Sequence, residues 1–327
     1  MPLDMWLGYN EIGGVMLKRF STNAIKRVGL LIPIKYDLSS NKNINGPTVI
    51  EYTLPKLLGS KIYIMYFASH KGRYIRTAWS RSPIGKFRTI PLVYILPIWN
   101  NFSERKDHVA SPEVLTINKI NYLFTHSPSR YFAPGRQITY ISRLYLGLFC
   151  FSAKPTKLPS YSRFFYYKDD LYAITNGADV FRFTVETLEP VKLEADISKL
   201  LIPDSEDIAI RVRHSQVVQY KDKMLCFFTR VGDSPERIFV AEMKFTSEEI
   251  IFSQPMELLR PETDYEGIKI KAQPSRNGMA KTAQNAIRDP FVAKFGEQYF
   301  LYYATSGEKG IACALLNFQK IDYDPPI

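Results

Sequence analysis

Apolar and polar positions alternate along most of this chain, in recurring sets of short runs. The clearest set is IRDPFVAKFGEQYFLYYATSGEKGIACALL, residues 287–316. It holds an apolar run, a tight polar turn, an aromatic-rich run, a polar loop and a third apolar run. Strand-length alternation bounded by such turns predicts β-hairpins. Four earlier segments repeat the pattern: NGPTVIEYTLPKLLGSKIYIMYFASHKGRYIRTAWS, SPEVLTINKINYLFTHSPSRYFAPGRQITYISRL, SRFFYYKDDLYAITNGADVFRFTV and RHSQVVQYKDKMLCFFTRVGDSPERIFVAEMKF. Their predicted turns are Leu58-Gly59-Ser60, Asn118-Lys119, Lys168-Asp169-Asp170 and Lys221-Asp222-Lys223, with Phe295-Gly296-Glu297 in the last set. Helical periodicity is nearly absent; DISKLLIP allows one or two turns.

A small antiparallel sheet cannot bury both faces alone, whereas five arranged radially cover one another and leave only short edges. The expectation is therefore an all-β, five-bladed β-propeller, one domain over residues 1–327, with blades starting near 45, 111, 162, 213 and 288. A β-sandwich would leave five matching hairpins unexplained. The last set shows three strands, so an N-terminal segment, GVMLKRF, is expected to supply the fourth and close the ring.

Composition narrows this further. At 46% hydrophobic and 14% aromatic the chain can bury a large core, which excludes intrinsic disorder. The 21 Tyr and 21 Phe favour strands over helices. A formal charge of +11 suggests an acidic partner, with solvated surface lysines as the alternative. Cys150, Cys226 and Cys313 are widely spaced in apolar runs and read as buried free thiols. No CxxC or HxxxH spacing points to zinc, and no cofactor or catalytic metal is expected. No secretory signal is visible at the N-terminus and no apolar run is long enough to span a membrane, so a soluble protein is expected, with the cytoplasm favoured.

In a propeller the residues just before each blade's first strand and just after its second converge on one mouth of the central channel. Before the first strands stand Asn45, Asp107-His108 with Glu113, Arg163, Arg213-His214 and Arg288-Asp289. After the second strands stand His70-Lys71, His126, Asn176, Arg230 with Asp233 and Glu236, and Glu308. All four histidines of the chain fall in this set. A ring of His, Arg and carboxylate around a funnel fits a ligand pocket, and ties between blades are the structural alternative for each residue. Asp233 and Glu236 with Arg230 and Arg237 read mainly as a buried ion network holding a loop.

The motifs NINGPTVI, ASHKGRYIRTAW, DHVASPEV, RHSQVV, RVGDSPERI, LRPETDYEG and IRDPFV together resemble the five-bladed propeller glycoside hydrolase superfamily, over residues 40–318. That superfamily includes family 43 arabinofuranosidases and xylosidases and family 32 fructan hydrolases, with families 62, 68 and 117 related. The nearest resemblance is to a bacterial family-43-like group. It implies hydrolysis of a glycosidic bond by two carboxylates, one acid and one base or nucleophile. Glu266 in DYEG resembles the catalytic acid, and Asp289 in RDP a funnel-facing aspartate that orients or stabilises. Asp107 and Glu113 are the candidates for base or pKa modulator. Asn45, His70, His108, His126, Arg213, His214, Arg230 and Arg288 are the candidate substrate-binding residues.

One departure matters. Where the resemblance implies a first-blade aspartate, the chain reads Asn45-Gly46, and asparagine cannot take a proton from water. Either another carboxylate, Asp107 first, acts as base, or the protein is a carbohydrate-binding propeller without that chemistry. Arginine forks bind carboxylate or sulfate bidentately, so an acidic saccharide fits the basic balance. No RRM-like or helix-turn-helix signature supports a nucleic-acid platform.

Overall fold

The computed structural model describes residues 9–12, 15–18, 24–33, 43–54, 60–70, 72, 74–90, 108–129, 136–150, 153–201 and 211–320. Five sheets, antiparallel except for Ala195–Asp196 running parallel to Ile250–Phe252 at the outer edge of one, form the blades of one all-β propeller. Their innermost strands are Asn45–Thr53, Ala110–Ile117, Arg163–Tyr167, Arg211–Tyr220 and Ile287–Phe295, which begin blades 1 to 5 in chain order. The hairpin turns of blades 2 to 5 fall where the polar breaks predicted, and Leu58 and Gly59 of the blade 1 turn lie outside the described residues. Asn118-Lys119 and Lys168-Asp169 have positive φ at both residues, the pair that two-residue hairpins with native twist require. DISKLLIP gives only a short 3-10 turn, Ser198–Leu201.

The blade strands read apolar on both faces because each face meets a neighbouring blade. In Lys223–Val231 of blade 4, Leu225 and Phe227 pack toward blade 5, and Met224, Cys226 and Phe228 toward blade 3. Five such buried clusters among the described residues, one per blade interface, carry the core around the ring. Full burial of one Leu or Phe side chain is worth about 1.5–3 kcal/mol, so stability is spread over all five interfaces. Cys226 and Cys313 are buried free thiols, and Cys150 is partly exposed.

The ring closes as expected, but with another segment. The strand completing blade 5 is Ile25–Pro33, antiparallel to Gly310–Leu316, with Ile25 opposite Leu316 and Pro33 opposite Gly310. Within the segment expected to close the ring, Val15–Lys18 pairs instead with Tyr9–Ile12 in a separate hairpin. Ile25–Pro33 brings Leu31 and Ile32 into the cluster between blades 5 and 1.

A repeated backbone feature shapes the axis. The inner strands of blades 1, 2, 4 and 5 skip register, between Asn45 and Thr48, Ala110 and Glu113, Arg213 and Gln216, and Arg288 and Phe291. The residue after the first of each pair is left-handed: Gly46 at φ 59°, Ser111 at 49°, His214 at 55° and Asp289 at 55°. Tyr161, at φ 61°, holds the same place ahead of the blade 3 strand. Bulges of this kind bend a strand and re-aim one side chain. Held left-handed, a residue other than glycine stores about 1–3 kcal/mol, which the surrounding structure must impose.

Candidate functional site

The four bulges and Tyr161 surround one end of the axis, where a cavity of about 590 Å³ opens. Such a volume lies within the range of about 300–1,000 Å³ usual for small-molecule sites. Its wall includes all four histidines, His70, His108, His126 and His214. Asn45, Gln137, Tyr161, Asn176, Arg211 and Arg213 supply most of the remaining polar groups, and Asn277 to Met279 cover one side. No aspartate or glutamate belongs to the described lining.

The rings form an arc from blade to blade. Centroid separations are 6.0 Å for His70–His108, 5.2 Å for His108–His126, 5.1 Å for His126–Tyr161 and 4.5 Å for Tyr161–His214. His108 and His126 approach through their Nε2 atoms at 3.2 Å, so one donates and the other accepts. Blade 5 supplies a carboxylate at each end of the arc. His70 Nδ1 lies 3.1 Å from Glu308 and 3.0 Å from Asn45 Nδ2. At the other end Asp289 Oδ1 accepts from the Tyr161 hydroxyl at 3.2 Å and lies 3.1 Å from His214 Nδ1. The 3.1 Å contact is close enough for an ion pair but poorly aligned as a hydrogen bond, since His214 Nδ1 makes none of good geometry.

Burial dominates the electrostatics. Desolvation, reinforced by His70, lowers His108 to about 4. His126 and His214 lie well below the usual histidine range, through burial first and then the charges of neighbouring histidines and arginines. Asp289 is raised to about 6 by burial and Glu308, against the pull of Arg288 and Arg213. At neutral pH His108, His126 and His214 are therefore neutral imidazoles, with Asp289 behind the arc.

This has a consequence for stability. A histidine whose pKa is depressed on folding leaves the unfolded chain binding more protons, so stability is lost as pH falls from about 6.5 toward 4. Asp289 has the opposite sign and loses stability as pH rises through its folded value of about 6. Substituting one histidine isolates its contribution. The urea midpoint of His126→Gln is expected to move less between pH 7 and pH 5 than that of wild type. An unchanged difference would mean that His126 is not held neutral.

The remaining candidates divide clearly. Asn45, His70, His108, His126, Arg213 and His214 line the cavity, and Asp289 and Arg288 stand directly behind it. Arg213 is not free to grip a ligand, because Glu236 takes its Nε at 2.8 Å. Arg288 Nη2 lies 2.7 Å from the same glutamate, and Nη1 lies 3.4 Å from Glu308. Glu113 is buried against Arg163, which also donates to Thr48 Oγ1 and to the Pro112 and Pro47 carbonyls, tying blades 1, 2 and 3. Arg230 is fully buried, 4.1 Å from the Phe239 ring centroid and beside Asp233. Asp107 lies outside the described residues.

Glu266 sits apart from the cavity and is completely enclosed. Its carboxylate accepts Arg27 Nε at 3.0 Å, the Tyr303 hydroxyl at 2.7 Å and the backbone N–H of Glu262 and Thr263 at 2.8 and 3.1 Å. The glycine after it has a local cause: Gly267 caps the short 3-10 turn at φ 90°, and a Cβ there would fall 2.2 Å from the Gln284 carbonyl. Sequence reasoning missed Tyr161, Gln137 and the Asn277 to Met279 cover. Aligning Gly46, Ser111, His214 and Asp289 as equivalent positions would have exposed Tyr161.

No protein-family model matches the chain. An uncharacterised protein of Acanthamoeba polyphaga mimivirus is 27% identical, over 94% of this chain and 92% of its own length. Among solved structures, a GH43_1 enzyme from Xanthomonas citri aligns with a TM-score of 0.57 at 12% identity, covering 89% of this chain and 91% of that one. The Cellvibrio cellulosa α-L-arabinanase complexed with arabinohexaose aligns at 0.52 and 10% identity, covering 86% and 97%. The chain is a five-bladed β-propeller whose fold is related to that of family-43-like glycosidases.

Proposed function

We propose that the funnel is a saccharide-binding site built on histidine, asparagine and arginine side chains rather than on facing carboxylates. The observation that carries this is the wall itself: a 590 Å³ polar cavity with no carboxylate among its described lining residues. Around it, Asn45 Oδ1, His126 Nδ1, Asn176 Oδ1 and Asp289 Oδ2 are buried without a protein partner. Each such group left unsatisfied costs about 1–3 kcal/mol, so four at one site suit a ligand rich in hydroxyls. The arabinanase with arabinohexaose supports the reading, since the same fold there is found with an oligosaccharide.

Hydrolysis is the second reading, and Asp289, raised to about 6, favours it. It needs a second carboxylate about 5–10 Å across the bond. Glu308 shares blade 5 with Asp289, while Glu113 and Glu266 are held by arginines elsewhere. Among the expected residues that leaves Asp107. Calorimetric titration over a panel of neutral and acidic oligosaccharides tests both readings, with reducing-end release measured in parallel. Binding of at least one saccharide, weakened about tenfold by Asn176→Ala, is the expected result. Binding of none would overturn the saccharide reading, and reducing-end release lost in Asp107→Asn would establish hydrolysis.

A further inference from the structure

We propose that the funnel takes a uronate-bearing saccharide and cleaves it by β-elimination, with His214 as base and Tyr161 as acid, both positioned by Asp289. The proposal rests on the saccharide reading above and names its substrate class and chemistry.

Spacing is the first argument. Tyr161 and His214 both approach the same oxygen of Asp289, at 3.2 and 3.1 Å, and their ring centroids are 4.5 Å apart. With Nδ1 turned to Asp289, His214 keeps Nε2 for the cavity that it lines. A base and an acid held side by side suit bonds on adjacent carbons of one sugar ring. Hydrolysis instead needs groups on opposite sides of one bond with room for water. All three residues hold left-handed backbone, His214 and Asp289 at bulges and Tyr161 just ahead of its strand, and such strain is common at functional sites.

Charge is the second argument. A sugar C–H next to a carboxylate loses its proton only when that carboxylate is neutralised by hydrogen bonds or cations. Arg211 is exposed at the rim of the cavity and supplies the cation. No described carboxylate lines the cavity to repel a uronate, and the chain carries +11 overall. Burial first, and then the charges of Arg213, Arg288 and Arg163, lower the His214 pKa, and a bound uronate offsets the arginine part of that shift and makes the imidazole a better base.

The step balances without water. His214 takes the proton from C5, and the C–H electron pair becomes the C4=C5 double bond as the C4–O4 bond breaks. The Tyr161 hydroxyl turns its proton from Asp289 Oδ1 to the departing O4 and delivers it there. Proton return from His214 to Tyr161 by way of solvent resets the pair. The products are a 4,5-unsaturated uronate and a saccharide with a new hydroxyl, and their masses sum to that of the substrate.

The test incubates the full chain with polygalacturonate, alginate, heparosan and hyaluronan, and with carboxyl-reduced polygalacturonate as control. Ultraviolet absorbance reports the conjugated product, and mass spectrometry reports whether water was added. Absorbance should rise on at least one uronate polymer and not on the reduced control. Tyr161→Phe and His214→Gln should each slow the rise about 100-fold or more at saturating polymer. Arg211→Met, at the exposed rim where folding is not at risk, should weaken binding of the uronate but not of its reduced counterpart. Uronate bound but uncut, or cut with addition of water, overturns the elimination and leaves the saccharide reading standing. Binding of neutral saccharides alone overturns the uronate class, and binding of no saccharide overturns both readings.

Discussion

Replacing Glu266 by glutamine is expected to destabilise the fold by about 3–5 kcal/mol, the usual loss when one partner of a buried ion pair is removed. The carboxylate holds Arg27 from the strand that closes the ring, Tyr303 from blade 5 and two backbone N–H groups of its own loop. An amide there turns donors toward donors. Glutamine keeps one acceptor oxygen, so its NH2 must face either Arg27 and the Tyr303 hydroxyl or the two backbone N–H groups. Arg27 loses its buried anion while keeping Glu262 and the Arg260 carbonyl. Urea unfolding of the variant should show the loss. Saccharide affinity, measured where the variant is still folded, should match wild type because Glu266 does not line the cavity. A variant of wild-type stability with binding or cleavage abolished would return Glu266 to the role of catalytic acid that the DYEG motif suggests.

The contrast between Glu266 and the histidines shows what the sequence could carry. Alternation and polar turns specify strands because period two and turn chemistry are local, and five similar hairpins leave one economical arrangement. The convergence of polar residues at strand ends follows from topology, so His70, His108, His126 and His214 could be placed together without coordinates. Two things were not legible. Which N-terminal strand pairs with Gly310–Leu316 depends on register and on Leu31 and Ile32 meeting the blade 5–blade 1 cluster, a contact across most of the chain. Whether a carboxylate faces the cavity or an arginine depends on partners distant in sequence, such as Arg27 for Glu266 and Arg163 for Glu113.

Glu236→Gln should have a similar effect on stability and a different effect on binding. Glu236 is fully buried and joins Arg213 to Arg288, with Nε of the first at 2.8 Å and Nη2 of the second at 2.7 Å. Removing its charge leaves two enclosed guanidinium groups short of an anion, again at about 3–5 kcal/mol. Arg213 immediately precedes His214 and Arg288 immediately precedes Asp289, so one carboxylate fixes the backbone on both sides of that contact. Saccharide affinity should therefore fall together with stability, unlike in Glu266→Gln. A triple variant, Glu236→Leu with Arg213→Met and Arg288→Met, separates the two effects. Apolar groups of similar volume often replace a buried ionic triad without loss of stability, so the fold should recover much of its urea midpoint. Binding should not recover, because methionine cannot hold the positions of His214 and Asp289 through directed hydrogen bonds. Recovery of both would show that the network serves the fold alone and that the bulges place the site unaided.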